Sequence, residues 1–182
     1  MISLSVRIAG TILCSVIAAT PVMANPMVGG AAMYPTKNIV QNAVNSKDHT
    51  TLVAAVKSAG LVDTLSGPGP FTVFAPTDAA FAKLPPAMVE MIGSPESKAK
   101  VTNVLTYHVV PGRLTSSSIG SLIKKGKGSA TLTTVQGEPL VARMKGRSLY
   151  LTDAKGGTSR VTIANVMQSN GVIHVVDTVL MP

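Results

Sequence analysis

The fold is decided by residues 72–81, which read TVFAPTDAAF. The pattern over 71–75 is short, apolar and rich in β-forming residues, which predicts a buried strand. Pro76 ends that strand, because proline cannot donate to a sheet ladder. Thr77 then offers the hydroxyl of a helix N-cap, and Asp78 lies in the first turn, where a negative charge suits the helix dipole. The stretch therefore predicts a buried strand followed directly by a helix.

Helices are predicted on both sides of this strand. Asn38 can cap a short helix, and Asp-His-Thr at 48–50 opens a second one whose apolar residues recur at helical spacing until Gly60. After the strand, Ser-Pro-Glu at 94–96 has the hydroxyl, proline and carboxylate of a strong helix start. That helix should end near the Tyr-His pair at 107–108.

The last third of the chain changes to a strand pattern. Asn-Gly at 170–171 separates two β-branched runs, which is a strong hairpin signal. The predicted strands lie at 131–135, 139–144, 148–152, 161–167 and 172–180. Because helices come first and strands last, the order predicts an α+β domain rather than a parallel βαβ sheet.

The charge of the chain is concentrated in this same part. Residues 115–161 contain eight basic side chains, opposed only by Glu138 and Asp153, so the local charge is +6. The eight are Lys124, Lys125, Lys127, Arg143, Lys145, Arg147, Lys155 and Arg160. Such a surface favours an anionic partner, which is an envelope polysaccharide, lipid head groups or nucleic acid, unless it only keeps the protein soluble. Nucleic acid is not expected, because aromatic residues are not interleaved with the basic ones.

The first 24 residues have the pattern of a cleavable signal peptide. Arg7 precedes an apolar run at 8–20, and Val-Met-Ala at 22–24 offers small residues for cleavage after Ala24. The apolar run is shorter than the roughly 20 residues that a permanent span needs, although a membrane anchor remains the alternative. We expect an exported protein, either periplasmic or secreted, with no transmembrane anchor.

The expected mature chain consists of a flexible arm at 25–36 and one domain at 37–182. The only cysteine, Cys14, would be removed with the signal peptide. Disulfides and cysteine-ligated metals are then excluded, so the domain must be stabilised by packing.

Three segments together resemble a known family. They are TVFAPTDAAF at 72–81, YHVVPG at 107–112 and GVIHVVDTVLMP at 171–182. In order and spacing they resemble the fasciclin domain, with Asp78 where asparagine is common and Met181 where leucine is common. The resemblance implies two packed β-sheets forming a wedge, with helices at one side and end. It also implies adhesion or surface association, of the kind expected of a secreted bacterial protein with a single such domain.

The residues do not indicate an enzyme. The three histidines, His49, His108 and His174, have no metal-binding spacing, so neither a metal site nor another cofactor is expected. No serine lies in a Gly-x-Ser-x-Gly elbow, and the carboxylates are scattered along the chain.

The resemblance makes Tyr107 and His108 candidates for adhesive recognition, and Thr77 and Asp78 lie in the other motif. Each also has a structural interpretation. His108 extends the apolar stripe of its helix, where it would bond a backbone group and hold the helix to the sheet. Thr77 and Asp78 would organise a helix start. The further candidates form a basic patch of Lys124, Lys125, Lys127, Arg143, Lys145 and Arg147.

The sequence therefore predicts a non-enzymatic module that binds a cell-surface or matrix component, such as an anionic polysaccharide or a protein. One alternative is a carrier of a small apolar ligand, a lipid or pigment, held between helices and sheet. The nine methionines permit this, since methionine lines adaptable surfaces, although core filling explains them too. A structural role with self-association is the third possibility.

Overall fold

The computed structural model describes residues 25–182, so the predicted signal peptide at 1–24 lies outside the described residues. The helices of this part are α1 (Ile39–Ala43), α2 (Thr50–Ala59), α3 (Val62–Ser66), α4 (Asp78–Phe81), α5 (Pro86–Gly93), α6 (Lys98–Tyr107), which a short 3₁₀ turn precedes, and α7 (Ser116–Lys125). The strands are β1 (Met27–Val28), β2 (Ala31–Ala32), β3 (Phe71–Pro76), β4 (Val109–Pro111), β5 (Ala130–Thr133), β6 (Pro139–Lys145), β7 (Ser148–Thr152), β8 (Thr158–Gln168) and β9 (Gly171–Val176).

Three helix boundaries follow their sequence signals. The side chain of Asn38 accepts from the backbone N–H of Gln41, whose own side chain accepts from the backbone N–H of Asn38. This reciprocal pair is a capping box. Gly60 closes α2 in the left-handed conformation, with φ of 72°. The hydroxyl of Thr77 accepts from the backbone N–H of Ala80 at the start of α4. All three predictions are confirmed.

Helix α7 lies in a stretch where no helix was expected. Thr115 caps it, but the three serines at 116–118 are only middling helix formers. Its buried residues are Ile119 and Ile123, so the apolar stripe is thin. The helix is stabilised by the packing of these two isoleucines into a core that also contains Leu140.

The main sheet brings the first and last motif segments together. Its seven strands run in the order β4-β3-β9-β8-β7-β6-β5, and neighbours are antiparallel except for β3 and β9. These two lie parallel, with Phe71 opposite Gly171 and Pro76 opposite Val176. The α+β class is confirmed, although the parallel pair was not expected.

Strand β8 bends the sheet into two halves. Its pairing with β9 slips twice between residues 161 and 166, and bulges of this kind bend a strand and increase its twist. The half made of β4, β3 and β9 therefore packs against the half made of β5, β6 and β7. Phe74 from the first half shares one core with Leu140 and Leu151 from the second. This is the predicted wedge of two packed sheets.

A second core lies on the opposite face of β3 and β9, where the helices pack. Leu52 and Val56 of α2 and Leu105 of α6 lie against Val73 and Ile173 of the sheet. Helices thus cover one side of the wedge, as the family resemblance implied.

The structure differs from the expectation of a flexible arm at 25–36. Strands β1 and β2 pair as a small hairpin, and Val28 and Met33 are buried in the helix-side core. The carbonyl of Gly29 accepts from the backbone N–H of Lys47 at 3.2 Å. The sequence was misleading because a stretch rich in Gly, Ala and Pro shows no periodicity, although Val28, Ala31 and Met33 pack in the helix-side core.

Candidate functional site

Tyr107 is fully buried at the end of α6. Its hydroxyl donates to the carbonyl of Pro139 at 3.0 Å and accepts from the backbone N–H of Ala154 at 3.1 Å. Burial raises the pKa of the phenol above its ordinary value. Because Pro139 begins β6 and Ala154 follows β7, the side chain ties the helix to two strands of the second half-sheet.

His108 follows Tyr107 and is 2% exposed. Its Nε2 accepts from the backbone N–H of Leu180 at 3.0 Å, so the ring proton lies on Nδ1 and is donated to the carbonyl of Val104 at 2.7 Å. Burial lowers the pKa of His108 to about 4, which keeps the ring neutral at pH 7. The expected bond to a backbone group is confirmed, and a second one joins the helix to the end of the chain.

The Tyr-His pair therefore lies in the interior of the domain. While the domain is folded, neither side chain is exposed to a partner. Their contacts instead hold α6, the second half-sheet and the last residues of the chain in fixed relation. The exposed residues are therefore the part of the folded domain that a partner can contact.

Asp78 caps a helix, but not the helix in which it lies. Its carboxylate accepts from the hydroxyl of Thr50 at 2.7 Å and from the backbone N–H groups of Thr50 and Thr51 at 3.2 and 2.8 Å. Burial favours a higher pKa for Asp78, but these hydrogen bonds outweigh it and hold the pKa below its ordinary value. The first turn of α2 is thus anchored to the start of α4.

Replacing Asp78 with alanine should lower the free energy of unfolding by about 1 kcal/mol, because the first turn of α2 loses its cap. The melting temperature should fall by about 3 °C. Thermal unfolding at pH 7 measures this, with Asp78→Asn as the matched variant, which keeps one acceptor oxygen and should cost less. Since the pKa of Asp78 is lowered, its contribution is present above about pH 4 and lost below it. An unchanged melting temperature for the alanine variant would contradict the capping role.

The six basic residues predicted as one patch form two groups. Lys124, Lys125 and Lys127 lie at and just after the end of α7, the helix that packs onto the face of β6 carrying Ala142. Arg143 alternates with Ala142 and so points to the other side of the sheet. The second group consists of three residues: Arg143 and Lys145 lie on the side of β6 that faces away from α7, and Arg147 lies in the β6–β7 turn. All six are exposed.

One pair of side chains has the spacing of a catalytic base and nucleophile. The Nδ1 of His49 lies 2.8 Å from the hydroxyl of Ser46, which is the spacing of a base and a nucleophile. Both residues are buried in the folded domain, His49 at 3% and Ser46 at 4% exposure. Within residues 25–182, no three His, Cys, Asp or Glu side chains converge on a point that could hold a metal ion.

The space between helices and sheet is small. An apolar cavity of about 40 Å³ lies there, lined by Val40 of α1, Val56 of α2 and Ile173 of β9 among others. Pockets that hold small ligands have volumes of about 300–1,000 Å³. The geometry therefore does not favour a lipid or pigment carrier.

Over residues 25–182, no helix has the length and apolar character to cross a bilayer.

Comparisons with known proteins agree with this architecture. A fasciclin domain family model matches residues 47–182. Protein sll1483 of a Synechocystis strain is 42% identical over 86% of this chain and 79% of its own. The cell surface glycolipoprotein MPB83 of Mycobacterium bovis is 34% identical over 85% of this chain and 64% of its own. The chain belongs to the fasciclin domain family.

A solved structure shows the same fold. The FAS1 domain pair from the insect cell adhesion molecule fasciclin I superposes with a TM-score of 0.72 and 17% sequence identity. The match covers 80% of this chain and 51% of that one. The chain thus spans about half of the insect domain pair.

Proposed function

We propose that this protein is an exported, non-enzymatic adhesion module that attaches to an anionic component of a cell surface or matrix. The observation that carries the proposal is the distribution of charge in the second half of the domain. Its candidate basic residues are exposed on both sides of the half-sheet, whereas Asp153, one of the two acids in that stretch, is buried. An exposed cationic surface attracts polyanions and steers their association.

The relatives support attachment as the working role. MPB83 is described as a cell surface glycolipoprotein, and the insect domain pair belongs to a cell adhesion molecule. The signal-peptide pattern of residues 1–24 supports export. A fold alone does not establish a function, so the proposal depends on the exposed charge and its test.

The test is co-sedimentation of the purified protein with intact cells over a salt series. From about 0.01 M to about 1 M NaCl the screening length falls from about 30 Å to about 3 Å, so the bound fraction should decrease steadily. A neutral protein of similar size serves as the control for trapping in the pellet. Absence of binding at every salt concentration would overturn the proposal.

A further inference from the structure

One face of the second half-sheet is left open. The inward residues of β5, β6 and β7 are buried in the same core as Phe74; they are Ala130, Leu132, Leu140, Ala142, Leu149 and Leu151. Alternate residues of a strand point to opposite faces, so the residues between them point outward. Helix α7 packs on the inner side through Ile119 and Ile123. Nothing in the described part of the chain covers the outer face of β5 to β8, where Arg143, Lys145 and Arg160 are exposed.

A row of three side chains crosses this outer face. Arg143 of β6 lies opposite Tyr150 of β7, which lies opposite Arg160 of β8. Directly paired residues of antiparallel strands share a face, and neighbouring strands lie about 4.8 Å apart. The backbone positions of the two arginines are therefore about 10 Å apart, with the half-buried phenol ring between them.

The surroundings of the row are polar and almost free of negative charge. Thr152 and Thr158 form the neighbouring pair on the same face. Among the described residues, none of the outward positions of β5 to β8 is acidic, and Asp177 lies at the margin. Its carboxylate is 3.7 Å from Nε of Arg160, whose side chain is still 51% exposed. An exposed pair of this kind is weak enough for a competing anion to displace.

We propose that this outer face binds an acidic polysaccharide, an inference that rests on the proposed attachment to an anionic surface component. The guanidinium groups of Arg143 and Arg160 pair with carboxylate or sulfate groups, for which their planar fork is suited. Tyr150 offers an apolar ring face to a sugar between them. The threonine hydroxyls flanking the row bond to the sugar hydroxyls.

The same features argue against the other anionic partners. Single-stranded nucleic acid needs several aromatic side chains on which successive bases stack, and this face presents one, Tyr150. A peripheral membrane protein inserts apolar residues between lipid headgroups. Here the outward apolar residue beside the row, Val141, is half-buried. A hydroxylated polyanion fits the face best.

The direct test uses immobilised polygalacturonate, a carboxylated polysaccharide, with dextran as the neutral control and phosphatidylglycerol vesicles as the lipid control. We expect the purified protein to bind polygalacturonate, and to bind dextran and vesicles at least tenfold more weakly. Equal or tighter binding to the vesicles would overturn the inference.

Matched variants locate the site. Arg143→Gln with Arg160→Gln removes two charges from the row, while Lys57→Gln with Lys98→Gln removes two exposed charges from helices α2 and α6, away from this face. The first pair should weaken polygalacturonate binding about tenfold or more, because two charge-assisted contacts are lost. The second pair should change it by less than about twofold. Equal losses for both pairs would mean attraction to net charge alone, which would overturn the inference.

Two further variants guard against loss of folding. Arg143→Lys keeps the charge but loses the planar fork, and it should weaken binding about threefold with an unchanged melting temperature. Tyr150→Leu should weaken binding several-fold. If both bind as the unmodified protein does, the row is not the site.

Failure of this inference is distinguishable from failure of the proposed function. If the protein attaches to cells in a salt-dependent manner and its Arg143→Gln, Arg160→Gln variant attaches equally well, the proposed function stands and the proposed site is wrong. If the protein attaches to neither cells nor polygalacturonate, both proposals are wrong.

Discussion

Replacement of His108 with alanine is expected to lower the free energy of unfolding by about 3 kcal/mol or more. The variant leaves the backbone N–H of Leu180 buried without an acceptor, a loss of about 1–3 kcal/mol. It also leaves the carbonyl of Val104 without its ring donor and opens a cavity in a fully packed site. For a domain of this size the melting temperature should fall by roughly 10 °C.

Chemical denaturation at pH 7 measures this loss. Arg143→Ala is the control, because Arg143 is exposed and its truncation should cost less than about 0.5 kcal/mol. Amide exchange at Leu180 should accelerate selectively in the His108 variant, since the bond that protects this N–H is gone. A loss below about 1 kcal/mol would show that His108 does not hold the helix to the end of the chain.

Acidification from pH 7 to pH 4.5 should destabilise the protein by about 2–3 kcal/mol from His108 alone. Burial lowers the pKa of His108 from 6.5 to about 4, so between these values the unfolded chain binds a proton that the folded protein does not. Stability is therefore complete above about pH 6.5 and declines as pH falls towards 4. His49 and His174 act in the same direction, since burial lowers the pKa of each.

Urea denaturation at several pH values tests the sign and the window. His108→Gln has no titrating ring, and its stability should depend less on pH between 7 and 4.5 than that of the unmodified protein. The lowered pKa of Asp78 adds its own loss only below about pH 4, outside this window. A stability that is constant between pH 7 and 4.5 would contradict the burial of these three rings.

The sequence predicted those features whose signals lie within a few residues. The cap of Asn38 on Gln41 and the closure of α2 at Gly60 each depend on local conformational preference, which short-range patterns capture well. The predicted β8–β9 hairpin also forms, but its turn residues are Ser169 and Asn170, because Gly171 already pairs with Gln168 in the sheet. The three motif segments then indicated the family and its wedge of sheets. Since these local and family signals agree, they were sufficient for the fold class.

The features that were missed depend on contacts between distant parts of the chain. Asp78 was expected to serve its own helix, but its carboxylate caps α2, whose first residue Thr50 lies 28 positions earlier. Helix α7 forms because Ile119 and Ile123 pack into a core to which the later strands β5, β6 and β7 contribute. The parallel pairing of β3 with β9 likewise joins the two most widely separated strong motifs.

The candidate site shows the same limit. Sequence placed six basic residues in one patch, because they are close along the chain. Whether Arg143 shares a face with Lys124 depends on which side of β6 the helix α7 packs. The row formed by Arg143, Tyr150 and Arg160 arises from strand register, which no spacing along the sequence reveals.

The most direct test of the central claim is the salt-dependent co-sedimentation with cells, repeated with one buried and one exposed set of variants. Tyr107→Phe removes only the buried hydroxyl and should attach as the unmodified protein does. A variant with glutamine at the six exposed positions should attach about tenfold more weakly or worse; these are Lys124, Lys125, Lys127, Arg143, Lys145 and Arg147. The central claim is that the buried Tyr-His motif stabilises the fold and that the exposed basic residues bind the partner. It would be contradicted if a folded Tyr107→Phe variant lost attachment while the six-position variant kept it.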